Sequence, residues 1–326
     1  MNRNGKRLLL WTPGIETHGG RPSANLGDLI IEEAVEAELR DLLPAWEVEK
    51  VSTHRRFGPA ERRKAKAADL IVVGGSNLLS SYMDGYFQWD LTMANAWAAR
   101  GSVLMGAGWW RDQGVANRYT KILLNLVLSR KFKHSVRDGQ AAARLREIHI
   151  PKVLNTACPT MWKLAEMDLS KLRTEPADKV LCMLTDYYPE PELDRRLLDL
   201  LKERYKTVYF WPQGLGDEIY SRELSFDGVL LDRRLEALDE LLATEANLDY
   251  VGTRLHGGVR CLKAGKRCLT LEVDNRAREI GRDTGLPTAA RNDLETVRKW
   301  TEGSDPVQLR LPGESIREWK EQFAGF

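Results

Sequence analysis

Seven consecutive residues, Gly252-Thr253-Arg254-Leu255-His256-Gly257-Gly258, concentrate the chemistry of this chain. They follow the apolar run Leu248–Val251, so the segment reads as a buried strand that breaks into a turn and enters a helix. Arg254 and His256 lie two apart, and in an extended turn their side chains leave on the same side. A helix starting near Gly257 directs its unbonded N–H groups to the same place. A guanidinium fork, an imidazole and a helix start together suit a small anion that must receive a proton. A structural reading stands beside this one, in which Arg254 pairs with a surface carboxylate and His256 caps a turn. The convergence of three anion-binding features favours function.

Ligands of open α/β sheets bind beyond the carboxyl ends of the strands, so the elements around this turn matter. Short apolar runs alternate with amphipathic helical stretches along the whole chain, the pattern of parallel sheets covered by helices. Strands are expected at 7–11, 47–52, 70–73, 102–106 and 134–137, then at 179–184, 206–211, 228–231, 248–251 and 267–272. Helices are expected at 27–43, 85–99, 114–128, 190–204, 234–244, 257–264 and 293–301, with a last one over 314–323. The charged segment 165–178, which carries Pro176 and no clear period, reads as a linker. The expected architecture is α/β: two Rossmann-like domains, 1–165 and 179–312, facing a central cleft, with 313–326 packing back on the first.

Composition narrows the function. With 43% hydrophobic and 29% charged residues the chain is globular, and a net charge of +2 gives no nucleic-acid-scale basic field. The basic run 54–66 reads as a solvated helix face. Cys158, Cys182, Cys261 and Cys268 form no CxxC pair and no zinc spacing, so they read as free thiols of a reducing compartment, and no metal is expected. The apolar run at the amino terminus is too short for a signal peptide or a membrane span, which makes a cytoplasmic protein the expectation. Met105-Gly106-Ala107-Gly108 invites a dinucleotide reading, but Arg111 stands where the third glycine belongs, and no P-loop occurs.

Several motifs in order resemble the polysaccharide pyruvyl transferase family: Asn25-Leu26-Gly27-Asp28, Val72-Val73-Gly74-Gly75-Ser76, Met105–Gly108, Val136-Arg137-Asp138, Cys158-Pro159, Trp211-Pro212-Gln213 with Asp217, Thr253-Arg254-Leu255-His256-Gly257, and 271–276. Two departures are visible. The family often has a third glycine where Ser76 stands and a lysine where Arg276 stands, and a guanidinium differs from an ammonium in geometry. The resemblance implies a GT-B-like pair of Rossmann-like domains and transfer of pyruvate from phosphoenolpyruvate to sugar hydroxyls as a ketal, with phosphate released. It implies no further cofactor. The expected partners are phosphoenolpyruvate and a glycan or lipid-linked saccharide, the latter with possible membrane-surface association, and no nucleic acid.

On that reading His256 is the general acid, because an anion beside it favours its protonated form. Arg254 and Arg137 hold the donor's carboxylate and phosphate, with Leu255, Gly257, Gly258 and Arg276 completing the donor site. Asn25, Asp28, Gly74, Gly75 and Ser76 form the acceptor side, and Asp28 orients or deprotonates the acceptor hydroxyl. Plainer readings stay open: Asn25 and Asp28 as a helix cap and first-turn acid, Arg137-Asp138 as a strand end and cap, Gly74–Ser76 as a tight turn, Gln213 and Asp217 as a loop cap. His18 reads as a residue of the polar loop 14–23, a loop that could close on the acceptor, whereas His54, His134 and His149 have no partners at metal spacing and read as structural or surface histidines. Two other functions compete: a GT-B glycosyltransferase using a nucleotide sugar, and a non-catalytic glycan- or anion-binding protein. A binding protein has no need to keep Arg254 and His256 together.

Overall fold

Leu8, Leu9, Leu10 and Trp11 are all buried, which requires both faces of their strand to be covered. They form the centre of β1 (Arg7–Thr12) in a computed structural model that describes residues 5–15 and 23–326. β2 (Glu47–Ser52) and β3 (Leu70–Gly74) flank β1 in parallel, and β4 (Val103–Met105) pairs beyond β3, giving the order β2-β1-β3-β4. β5 (His134–Val136) and β6 (Val153–Asn155) form a parallel pair. That pair is joined to the end of β4 where the Gly106 N–H donates to Ser135 O at 3.0 Å.

Alternation along these strands separates two cores. Leu9, Trp11, Ile71, Val73 and Leu104 face one side. Leu8, Leu10, Leu70, Val72, Val103 and Met105 face the other, against Ile31, Val35 and Leu39 of the helix Leu26–Leu42 and Trp319 of the helix Gly313–Glu321.

A second sheet is built from β7 (Lys179–Met183), β8 (Thr207–Phe210), β9 (Val229–Leu230), β10 (Leu248–Gly252), β11 (Arg267–Glu272) and β12 (Thr288–Ala290). It is parallel throughout, in the order β12-β11-β10-β7-β8-β9. β10 and β7 occupy its middle, so residues just after them stand at the centre of the strand ends.

The chain divides into one unit of Met1–Ser23, Ile31–Trp162 and Leu311–Phe326, and another of Ala24–Ile30 and Lys163–Arg310. The short stretch Ala24–Ile30 thus groups with the second sheet, and the division falls within the helix Leu26–Leu42.

Other departures from the sequence reading have local causes. The helix expected over 85–99 is confined to Met93–Ala96 and a 3-10 turn at Trp97–Ala99. The preceding residues are turns, bends and irregular backbone, tied in place where the Asp90 N–H donates to Thr53 O at 2.8 Å and Asp90 O accepts from Phe57 N at 3.3 Å. β6 and β12 were not expected; each has three residues and follows a proline, too short to show a period. The linker 165–178 contains a 3-10 turn at Leu169–Lys171. His18 lies outside the described residues.

Candidate anion site at the end of β10

The turn after β10 is fixed before any side chain acts. The Thr253 N–H donates to Met183 O at 2.8 Å, and the Tyr250 hydroxyl donates to Arg254 O at 2.8 Å. The helix then runs Leu255–Lys263 with Arg254 as its N-cap, two residues earlier than expected. Its first bond takes the Gly258 N–H to Arg254 O at 3.0 Å. The expectation that the Gly258 amide contributes to anion binding is therefore corrected: the helix already uses it. Gly257 and Gly258 serve close approach instead. A Cβ on Gly257 would lie 2.4 Å from Met183 Sδ, and one on Gly258 would lie 2.5 Å from the Tyr250 ring.

Arg254 is buried and firmly held. Its Nε donates to Asp217 Oδ2 at 2.9 Å, and its Nη2 reaches both Asp217 Oδ1 and, at 3.0 Å, Asp186 Oδ1. The guanidinium also stacks over Tyr187, 5.0 Å from the ring centroid. The fork expected to clamp an anion bidentately is thus already closed on Asp217, and Nη1 is the nitrogen that bonds to none of the described residues.

Asp217 is fully buried in the first turn of the helix Asp217–Glu223 and accepts three backbone N–H groups as well. They come from Asp186 at 3.0 Å, Gln213 at 3.0 Å and Gly214 at 2.7 Å. Asp186 is more exposed, at 38% of its side chain. Desolvation and the neighbouring Asp217 carboxylate raise its pKa, with Arg254 opposing them.

A small recess opens beside this cluster. Asn25, Tyr187, Gln213, Thr253, Arg254, Leu255, His256, Val273, Asp274, Arg276 and Ala277 line it. His256 occupies the first helical turn and is only 6% exposed. Arg276 Nε bonds Asp274 Oδ2 at 2.9 Å, its Nη2 bonds the same carboxylate at 2.7 Å, and the Tyr187 hydroxyl accepts from it too. Burial works against the charge on Arg276, but Tyr187, Asp274 and Asp28 outweigh it and drive its pKa up. Asn25 Oδ1 accepts from Gln213 Nε2 at 3.0 Å and from the Gly27 N–H at 3.1 Å, while its Nδ2 donates to Asp28 Oδ2 at 3.3 Å. Gln213 Oε1 is buried with no hydrogen bond to the described residues.

The recess therefore gathers Asn25, Arg254, Leu255, His256 and Arg276 from the sequence reading, with Asp28 close enough to influence Arg276. Asn25 and Asp28, expected on the acceptor side, share a unit with Arg254, Leu255, His256, Gly257, Gly258 and Arg276 of the expected donor side. Asp186, Tyr187 and Asp274 were missed. Asp186 lies two residues past the apolar run 179–184 and Asp274 two past β11, so a carboxylate near a strand's carboxyl end was the available signal.

Arg137 and Gly74–Ser76 belong to the other unit. Arg137 is 1% exposed, bonded to Asp138 Oδ2 at 3.0 Å and Asn77 Oδ1 at 2.5 Å, with Nη1 buried and without a hydrogen bond to the described residues. Gly108 makes room for it, since a Cβ there would lie 2.2 Å from the Arg137 Cζ. The expected donor contact is corrected to this extent: the guanidinium is sealed from solvent. Asp138 caps the helix Gly139–Glu147 through the Ala141 N–H at 2.7 Å. The expectation that the glycine-turn amides line an acceptor site is corrected at Gly75 alone, whose N–H donates to Met105 O at 2.8 Å.

His134 is structural, accepting the Leu104 N–H at Nδ1 (3.2 Å) and facing Ser129 O with Nε2 at 2.8 Å. Burial lowers its pKa to about 4. Among the described residues, no group of three or more His, Cys, Asp or Glu side chains could hold a metal ion. No described helix is long and apolar enough to cross a membrane.

Residues 25–275 match the sequence family described as polysaccharide pyruvyl transferase. No curated protein matches the chain in sequence. In structure it is similar to the UDP-GlcNAc 2-epimerase of Methanocaldococcus jannaschii, solved with UDP-GlcNAc and UDP (TM-score 0.54, 12% identity, 98% of this chain and 100% of that one). It is also similar to S. aureus MnaA solved with UDP (TM-score 0.50, 13% identity, 98% and 97% covered) and to a putative UDP-N-acetylglucosamine 2-epimerase from Listeria monocytogenes (TM-score 0.50, 10% identity, 98% and 97% covered). At these identities the likeness shows the fold alone, which is α/β with parallel sheets and GT-B-like.

Proposed function

Because the chain belongs to the polysaccharide pyruvyl transferase family, we propose that it moves pyruvate from phosphoenolpyruvate to two hydroxyls of a sugar in a polysaccharide or its precursor. A proton adds to the donor's methylene carbon, and cationic character develops at the neighbouring carbon. One sugar hydroxyl adds there and gives up its proton. Phosphate leaves as the second hydroxyl adds and gives up its proton, which the phosphate can carry away, and the ketal ring closes. A lipid-linked acceptor would bring the chain to a membrane surface.

The observation that carries this reading is the pairing of Arg254 and His256 on one turn, lining one recess at the carboxyl end of a central parallel strand. In it, His256 supplies the proton to the methylene carbon. Arg254, through Nη1, and Arg276 attract the donor's two anionic groups. Asn25 and Gln213 add polar atoms to the lining, and Asp28 remains the candidate to orient the acceptor hydroxyl. Neutralisation of both arginines by aspartates keeps the recess from holding any passing anion tightly, which suits a donor that must be released as phosphate and ketal.

Calorimetric titration of phosphoenolpyruvate, with nucleotide sugars as a comparison, tests the donor. Saturable binding of phosphoenolpyruvate that Arg254→Ala abolishes is the expected result, whereas binding of a nucleotide sugar alone would point to glycosyl transfer. With an acceptor in hand, His256→Ala is expected to retain donor binding and lose about a hundredfold to ten-thousandfold in turnover. Undiminished turnover in that variant would remove His256 from its role.

A further inference from the structure

Asp186 is the member of the Arg254 cluster that the proposed chemistry leaves without a task. It follows β7, and its carboxylate shares the Arg254 Nη2 with Asp217, which holds the same guanidinium from Nε as well. The two acids are not equivalent. Asp217 is fully buried and accepts three backbone N–H groups, so its oxygens are already committed. Asp186 is the half-exposed partner and receives no such set.

Its position is built. A Cβ on Gly216 would lie 2.0 Å from Asp186 Oδ2, and one on Gly214 would lie 3.2 Å from Oδ1. The Gly214-Leu215-Gly216 turn thus leaves the space that this carboxyl fills. The charges around it are Asp217 on the helix Asp217–Glu223 and Arg254 at the N-cap of Leu255–Lys263. Beyond the guanidinium, in the recess, stand Tyr187, His256 and the Arg276–Asp274 pair.

An anion drawn to Arg254 Nη1 must approach a guanidinium that already serves two carboxylates. The geometry points to Asp186 as a further donor-binding residue that works in its protonated form: entry of the anion brings a proton onto Asp186, which then donates a hydrogen bond to the anion. A negative charge arriving about 5 Å away favours protonation by a factor on the order of a hundred at an intermediate effective dielectric. A carboxylic acid kept neutral beside an anion is an effective hydrogen-bond donor. The proton comes from solvent and no covalent bond changes. This inference rests on the donor reading above and names the proton linkage of that same site.

The test is titration calorimetry of phosphoenolpyruvate into the full chain at fixed pH in two buffers of different ionisation enthalpy, with wild type and Asp186→Asn. The amide keeps a donor and cannot titrate. Wild type is expected to take up close to one proton per ligand more than Asp186→Asn, and above the Asp186 pKa its affinity should fall up to tenfold more per pH unit than the variant's. Taking the difference cancels protons exchanged by the ligand's own phosphate and by His256. Equal proton uptake and parallel pH profiles in the two proteins would overturn the role of Asp186 while leaving the donor reading intact. No binding of phosphoenolpyruvate by either protein would overturn both.

Discussion

Arg254 was legible as a residue type but not as an interaction. Its position between a strand and a glycine pair marked it as an anion-seeking cation, whereas the carboxylates that hold it come from 37 and 68 residues away. Nothing local in the sequence states that a guanidinium is already bonded on two sides. The consequence is a stability effect that any binding study must separate. Arg254→Ala leaves the Asp217 charge buried without its counter-ion, and losing one partner of a buried pair costs about 3–5 kcal/mol. Urea unfolding of the variant should show a loss of that order, while Arg254→Lys, which keeps the charge but loses the fork, should recover part of it. A stability loss below about 1 kcal/mol in Arg254→Ala would mean that the pair with Asp217 is not what holds this part of the fold. Asp186 works in the opposite sense. Its folded-state pKa is raised, so the stability it contributes is full below the unfolded-state value and is lost as pH rises through the folded one.

At the scale of elements, the helix Leu255–Lys263 shows what a glycine pair does and what it does not do. The sequence suggested that Gly257 and Gly258 opened a helix and offered amides. The helix begins before them, and their absent side chains let it settle against Met183 and Tyr250. Gly257→Ala should therefore cost about 1–3 kcal/mol through overpacking and should weaken donor binding, because His256 precedes it in the same turn. Gly265 makes the comparison: its φ of 78° strains an alanine, but nothing lies within 4 Å of a Cβ there. Gly265→Ala should cost about 1–2 kcal/mol from the left-handed backbone alone and leave donor affinity unchanged. Equal donor affinities in the two variants would show that the helix start tolerates displacement.

The same limit governs the elements that sequence reading missed. The long strands β1, β2, β10 and β11 were legible because burial on both faces or clear flanking turns shaped them. β6 and β12, three residues each, exist because neighbouring strands offer them a ladder. The stretch before Met93 looked helical by composition and lost that conformation to a pairing with Thr53 and Phe57, a tertiary choice that no window of sequence contains.

For the whole molecule, the order of residues is not the order of units. The chain leaves the first unit after Ser23, rejoins it at Ile31, leaves again after Trp162 and returns at Leu311. That return was legible as an amphipathic terminal helix, but its weight was not. Trp319 is fully buried, edge-on to Trp162 at 5.5 Å and to Phe323 at 5.0 Å. The helix is also tied by charge, with Lys320 Nζ 2.5 Å from Glu38 Oε2 and Glu318 Oε1 3.0 Å from Lys133 Nζ. The tryptophan should outweigh the partly exposed Glu318–Lys133 pair, since such ion pairs contribute at most about 1 kcal/mol and removing a buried aromatic costs about 3–5 kcal/mol. Trp319→Ala should therefore lower the stability of the first unit by that larger amount. Glu318→Gln should leave it almost unchanged. Because the recess and its aspartates lie wholly in the second unit, phosphoenolpyruvate should still protect that unit in the Trp319→Ala protein. Differential scanning calorimetry with and without phosphoenolpyruvate separates the two effects: one transition should move with the mutation and another with the ligand. If the mutation and the ligand shift a single common transition, the two units unfold as one cooperative body and the terminal helix supports the site as well as the core it covers.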